Sequence, residues 1–177
     1  TIAGAQLMPP PPGGRIPLFL GGFADKAIAR VVRFADGYLG DDRSARAYIK
    51  KLAEQGRDTS RACVRITGLT TVVADDPDAA MEELAPFFLH ANNSYAMWAS
   101  EDNALGVEGF APMSLDAFKA SGALNILTPD AAITFFRDLQ AKLPVEHYLM
   151  ARPPGLPDAR FLHYAELFAQ RVMPAFA

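Results

Sequence analysis

This chain has little of what most catalytic or metal-binding signatures are built from. Its 177 residues include one cysteine, Cys63, so no internal disulfide can form. Cys63 lies in an apolar, strand-like run, where a thiol is expected to pack as a small core side chain and not to act as a nucleophile. The three histidines, His90, His147 and His163, have no metal-ligand spacing to one another or to the cysteine, and no metal is expected. Glu146 and His147 are adjacent, and neighbours on a strand point to opposite faces, so no acid–base pair is expected there. No dense Lys/Arg cluster accompanies the net charge of -3, which excludes the electrostatic footprint of a nucleic-acid binder. No apolar run approaches the roughly 20 residues that span a bilayer, and no basic region precedes an apolar core as in a signal peptide. Neither a membrane nor secretion is expected, and a cytoplasmic setting fits. A Gly-x-Ser-x-Gly elbow and a P-loop are both missing, so a hydrolase or nucleotide-triphosphatase reading has no support.

What is present reads as an ordinary globular domain. Half of the chain is hydrophobic and 21% is charged, and the length is enough for one domain with a substantial core. The most informative stretch is Arg15-Ile-Pro-Leu-Phe-Leu-Gly-Gly-Phe-Ala-Asp-Lys-Ala27. The run 16–20 is too short for an ordinary helix and has no polar alternation, which suits a strand buried on both faces. Gly21 and Gly22 permit a tight turn and close approach to bare backbone. Ala27-Ile28, Val31-Val32 and Ala35 then recur at helical spacing. A helix that opens just after the turn points its free N–H groups back over the strand's end, a geometry that favours a phosphate. A Gly-Gly between strand and helix serves equally as a plain connection.

The chain from Pro17 through Gly21, Gly22 and Ala35-Asp36-Gly37 to Tyr38 resembles the signature of the luciferase-like flavin-dependent monooxygenases. The ending Val145-Glu-His-Tyr-Leu-Met-Ala151, the Pro-Gly loop after it and Phe168-Ala-Gln-Arg-Val-Met-Pro174 resemble the same family. The resemblance implies a TIM barrel and a reduced flavin, either FMN or a deazaflavin coenzyme. It implies that Gly21, Gly22, Phe23 and Ala24 hold the flavin phosphate. Phe23-Ala24 stands where serines are common in the family, so only backbone donors remain. Arg152, directly after the last strand, is the one cation expected at the barrel mouth formed by the strands' C-terminal ends, where the resemblance places the active site. Tyr38 could flank the flavin, although packing in the core is its more ordinary role. No catalytic residue is assigned.

The remainder reads as alternating strands and helices, which argues for a parallel sheet with helical crossovers. Asp41-Asp42, Asp75-Asp76-Pro77 and Thr128-Pro129-Asp130 are helix entries, Asp158 is read as the cap of a last helix, and 62–74 reads as one β-branched strand. Residues 1–14 carry a proline run and are expected to lead into the first strand. Residues 15–89 are read as three strand–helix units and 90–124 as a helical insertion. Residues 125–177 then supply a helix, the last strand and a C-terminal helix. The aromatics of the insertion, among them Tyr95, Trp98, Phe110 and Phe118, are expected to fill a core over one mouth of the barrel.

A complete barrel needs about 250 residues and eight units. These 177 residues starting at Thr1 are therefore expected to be the C-terminal half, strands 5–8, of a barrel. The expected partners are a small-molecule substrate and either the missing N-terminal half or a second copy of the chain. The expected function is a share in an oxidoreductase that uses reduced flavin and O2 on a small organic substrate. The alternative is a non-catalytic flavin-binding or scaffold subunit of the same fold.

Overall fold

The computed structural model describes residues 9, 11–101 and 111–177. Strand β1 (Phe19–Leu20) leads into helix α1 (Asp25–Phe34), and β2 (Gly37–Gly40) into α2 (Asp42–Glu54). Strands β3 (Val64–Gly68) and β4 (Thr71–Val73) follow almost without a break, then the long helix α3 (Pro77–Glu101). After α4 (Leu115–Ala120) come β5 (Asn125–Leu127), α5 (Pro129–Lys142), β6 (Val145–Met150) and α6 (Asp158–Arg171).

Local chemistry accounts for most of these boundaries. The Asp41 side chain accepts the Ser44 N–H at 2.8 Å, and Asp76 accepts that of Ala79 at 3.0 Å, each satisfying a helix-start donor. Thr128 does the same for α5 ahead of Pro129. Gly56, at φ +66, stops the chain just past α2. Asp158 is different: it is the first residue inside α6, Pro157 holds the cap position, and no side chain caps that helix.

All sheet pairing among the described residues is parallel. The main sheet runs β1-β2-β3-β6, and β4 with β5 forms a second, two-stranded sheet. The main sheet has two unlike faces. Along β3 burial alternates, with Val64 and Ile66 buried and Arg65 and Thr67 only partly so. Val64, Ile66 and Tyr38 join Ile28, Val31, Val32, Tyr48 and Leu52 of α1 and α2 in one core. No described helix seals the opposite face in the same way, and Leu149 there is 47% exposed.

Besides the Asp158 cap, the strand read over 16–20 as buried on both faces needs correction: only Phe19–Leu20 pair with β2, neither is fully buried, and Ile16 and Leu18 are 57% and 45% exposed. Three further expectations change. The strand read over 62–74 is two strands: the chain bends at Leu69-Thr70, and β4 leaves the main sheet to pair with β5, a strand the sequence reading omitted. The helical insertion read over 90–124 has no boundary at its start, because α3 runs on through His90 to Glu101. Asn92 and Asn93 look like breakers, but their amides hold the returning chain. Asn92 donates to the Ala111 carbonyl at 3.1 Å, while Asn93 donates to Met113 O and accepts from Met113 N, both at 3.0 Å. Side chains spent on a tertiary contact do not compete with the helix's own backbone. Third, the aromatics of this region divide. Phe118 is buried with Val72, Ala74 and Leu124, past the end of β3, whereas Tyr95 and Trp98 are half exposed and meet edge to face at 5.3 Å. Phe110, also read as part of the insertion, lies outside the described residues.

No helix among the described residues is long and apolar enough to cross a membrane.

Candidate functional site

The Gly-Gly turn joins β1 to α1 as expected, and both glycines answer to the protein's own packing. Gly22 sits at φ +138, and a Cβ there would lie 2.5 Å from the Ala27 Cβ. A Cβ on Gly21 would collide with the Leu39 carbonyl oxygen. The turn therefore lies pressed onto β2 and the first turn of α1, and no bulkier residue fits.

That packing leaves the entry of α1 bare. Ala24 holds the cap position with no side-chain hydrogen bond, and its carbonyl accepts from Ala27 and Ile28. The N–H groups of Phe23, Ala24, Asp25 and Lys26 make no hydrogen bond among the described residues. Free N–H groups at the positive end of a ten-residue helix are a receptive place for an anion. Asp25 puts a carboxylate in the same turn, but Lys51 of α2 pairs with it and offsets its charge. Phe23 projects outward, 69% exposed, beside a hollow of about 330 Å3. Asp41 and Asp42 also line that hollow, which makes it a poor seat for an anion and leaves the turn itself as the better one.

Tyr38 belongs to the core. It is fully buried, stacks on Tyr48 with ring centroids 5.9 Å apart, and lies with its hydroxyl 3.4 Å from both Gly22 O and Asp41 Oδ2. Burial first, and then the nearby Asp41 charge, push its phenol up to about 12. Asp36 is a clamp: its Oδ2 accepts the Leu18 N–H at 2.7 Å, its own N–H donates to Leu18 O at 2.8 Å, and Arg15 pairs with it. The Ala-Asp-Gly-aromatic motif thus fastens β1 to β2. Arg152 follows β6 and is held by Asp158 at the start of α6, so its guanidinium already has a partner.

The less covered face of the sheet carries a polar cluster that sequence reasoning missed. Gly37 lets the Phe19 ring lie across the sheet, since a Cβ would be 2.5 Å from it, and the Arg65 guanidinium stacks on that ring at 3.8 Å. Arg65 Nε donates to Glu146 Oε2 at 3.0 Å, and the Cys63 thiol donates to the same oxygen at 2.9 Å. His147 Nε2 is 3.8 Å from it as well. Adjacent strand residues were expected on opposite faces, but the β3–β6 register slips between Val64 and Arg65, so Arg65 faces His147 and Glu146 is the extra residue. The irregularity brings both side chains to one side. Cys63 is part-buried, not deep in the core, and burial together with Glu146 pushes its thiol up to about 11, the opposite of an activated nucleophile. His90, His147 and His163 are all exposed, and no metal-holding cluster occurs among the described residues.

Against known proteins, the family description "luciferase-like monooxygenase" matches residues 1–129. No curated protein matches the chain. Among solved structures, the coenzyme F420-dependent tetrahydromethanopterin reductase of Methanopyrus kandleri is similar at a TM-score of 0.55 and 18% identity, over 92% of this chain and 51% of that one. The EDTA monooxygenase of Chelativorans sp. BNC1 gives 0.55 and 17%, over 94% and 47%. The oxygenating constituent of 3,6-diketocamphane monooxygenase from Pseudomonas putida, in complex with FMN, gives 0.55 and 16%, over 91% and 49%. The chain thus spans about half the length of the solved proteins it matches. A parallel α/β fold of that kind, with a family match over most of the sequence, leads to one conclusion: this chain belongs to the luciferase-like monooxygenase family.

Proposed function

We propose that this chain is the C-terminal half, strands 5–8, of a luciferase-like (β/α)8 barrel, and that it holds the phosphate end of a reduced flavin. The observation that carries the reading is the β1–Gly21-Gly22–α1 junction, with its bare, uncapped N–H groups. A flavin phosphate would lie against the N–H groups of Gly22, Phe23 and Ala24, with Gly21 keeping the turn low enough for the approach. The donor set suits a phosphate on FMN or on a deazaflavin coenzyme, because it is entirely backbone and distinguishes neither ring. A bound reduced flavin would pass two electrons to O2, and the oxygen so activated would be the oxidant of the small organic substrate. This chain's own share is to bind and orient one end of the cofactor. Arg152 would contribute to cofactor or substrate only by exchanging its bond to Asp158.

Two features support completion of the barrel by further polypeptide. Four parallel strands stand side by side in the chain order β1, β2, β3, β6, as consecutive barrel strands would. One sheet face and the edges of β1 and β6 are unmatched, with Ile16 at 57% and Leu149 at 47% exposure. The N-terminal half of the barrel, or a second copy of this chain, would cover them. A second reading, a non-catalytic flavin-binding or scaffold subunit, draws on Phe23-Ala24, which offers no hydroxyl donors.

The test compares FMN with riboflavin, which lacks the phosphate. FMN is expected to bind at least tenfold tighter, and Ala24→Pro, which removes one of the three donors, should reduce the difference. Ala24 already sits at φ -71, so proline removes its N–H without bending the turn. Equal binding of the two flavins would sink the phosphate assignment. Separately, sedimentation that shows a cooperative, monomeric 19.1 kDa species would overturn the half-barrel reading.

A further inference from the structure

A cavity of about 200 Å3 lies between β4, the end of β6, α3 and α6, away from the Gly-Gly turn, none of whose residues line it. It falls at a seam in the core. Val72, Leu84, Phe88 and Leu156 on its wall belong to one packed cluster, while Phe168 belongs to another. The cavity is partly open, with Met173 on its lining 54% exposed, so a guest can enter it from solvent. An apolar cavity of about 150 Å3 is large enough to take benzene, so this one has room for a single ring with one or two further heavy atoms. No charged side chain among the described residues lines it, which disfavours a charged guest.

The polar part of the wall narrows the guest further. Thr71 Oγ1 and Tyr148 Oη, both on the lining, are 2.8 Å apart. Two hydroxyls carry two protons, and their mutual bond uses one. The second O–H has no acceptor among the described residues. The third lining hydroxyl, that of Tyr164, is committed to Glu83 at 2.8 Å. The Thr71–Tyr148 pair can therefore offer one donor, and lone pairs, to a guest oxygen.

We infer that this cavity is a binding site for a small uncharged ring compound bearing one hydroxyl or carbonyl oxygen, which the Thr71–Tyr148 hydroxyl pair receives. Thr71 and Tyr148 also border the hollow beside Phe23, but the inference uses none of the N–H groups of the turn and would survive failure of the flavin reading.

Three probes of similar size test it: phenol, toluene and benzoate, each titrated into the purified chain. Binding is followed by the methyl resonances of Met150 and Met173, which line the cavity, with Met97, which does not, as the control. Phenol is expected to shift both lining methyls saturably and to bind about fivefold to tenfold tighter than toluene, the worth of one neutral hydrogen bond. Benzoate should leave them unmoved. The double variant Thr71→Val/Tyr148→Phe, which removes both hydroxyls and strands neither, should bring the phenol-to-toluene ratio to about one. Ala165→Leu, on the wall, should abolish both shifts. If that variant does not fold, the wild-type titration still decides. Lining methyls unmoved by phenol and toluene, or moved no more than Met97, would overturn the site. A ratio unchanged in the double variant would overturn the role of the hydroxyl pair.

Discussion

The two faces of the main sheet are made by the same strands and have different fates. On one, Tyr38, Val64 and Ile66 are packed against α1 and α2 and are at most 3% exposed. On the other, Phe19, Arg65, Glu146 and His147 form a stacked, polar cluster that solvent reaches, beside a half-exposed Leu149. Alternation along a strand dictates that each residue belongs to one face, but only what covers a face decides whether burial stabilises it. The first face is finished by this chain. The second is left in contact with solvent by the described residues.

The largest expected effect probes that contrast directly. Tyr38→Ala removes a buried ring and should cost about 3–5 kcal/mol in urea unfolding. Leu149→Ala should cost about 0.5 kcal/mol or less in the isolated chain, as surface changes do. Equal costs would mean that the second face is covered after all.

A smaller effect sharpens the upper boundary of the finished face. Gly22→Ala forces a side chain into φ +138 and against Ala27, and should destabilise by about 1–3 kcal/mol. A neutral substitution would show that the turn is free to relax.

Two carboxylates compare ion pairs from different settings. Glu83 accepts from Arg160 and from the Tyr164 hydroxyl, tying α3 to α6, and the Arg160 hydrogen bond holds its carboxyl below the usual carboxylate range. Glu146 is likewise lowered, by the Cys63 and Arg65 hydrogen bonds, but lies exposed. Glu83→Gln should lower the urea midpoint at pH 7. A folded carboxyl that stays charged to lower pH than its unfolded form stabilises fully above the unfolded pKa and loses that contribution as pH falls through the folded value. The difference between wild type and Glu83→Gln should therefore shrink below about pH 4. Glu146→Gln should leave the midpoint unmoved, as exposed pairs commonly do.

The smallest effect is on reactivity. Burial, then Glu146, pushes the Cys63 thiol up to about 11. In Glu146→Gln the pH profile of iodoacetamide alkylation should move only part of the way back, because burial remains. An unmoved profile would show that the thiol bond to Glu146 is not formed in solution.

The residues themselves carried much of this. Three acid- or threonine-led helix entries and the Gly-Gly turn are local signals, and each holds within a few residues in the structure, whereas burial of the run 16–20 on both faces does not. Their causes, capping and conformational freedom, operate inside one turn of chain and need no distant partner. The family signature was legible for the same reason: Gly21, Gly22 and Asp36-Gly37 each meet a steric or hydrogen-bonding demand between neighbouring elements. What the residues could not announce was where the chain meets itself across long separations. The split of β3 from β4, the pairing of β4 with β5, the use of Asn93 to hold Met113, and the slip that sets Glu146 beside His147 all depend on partners 20 to 83 positions away. The cavity beside Thr71 and Tyr148, 77 positions apart, is of that second kind. A void is what packing leaves over, and no periodicity encodes it. Tertiary structure alone decides such features because closing a long loop is favourable only when many contacts form together.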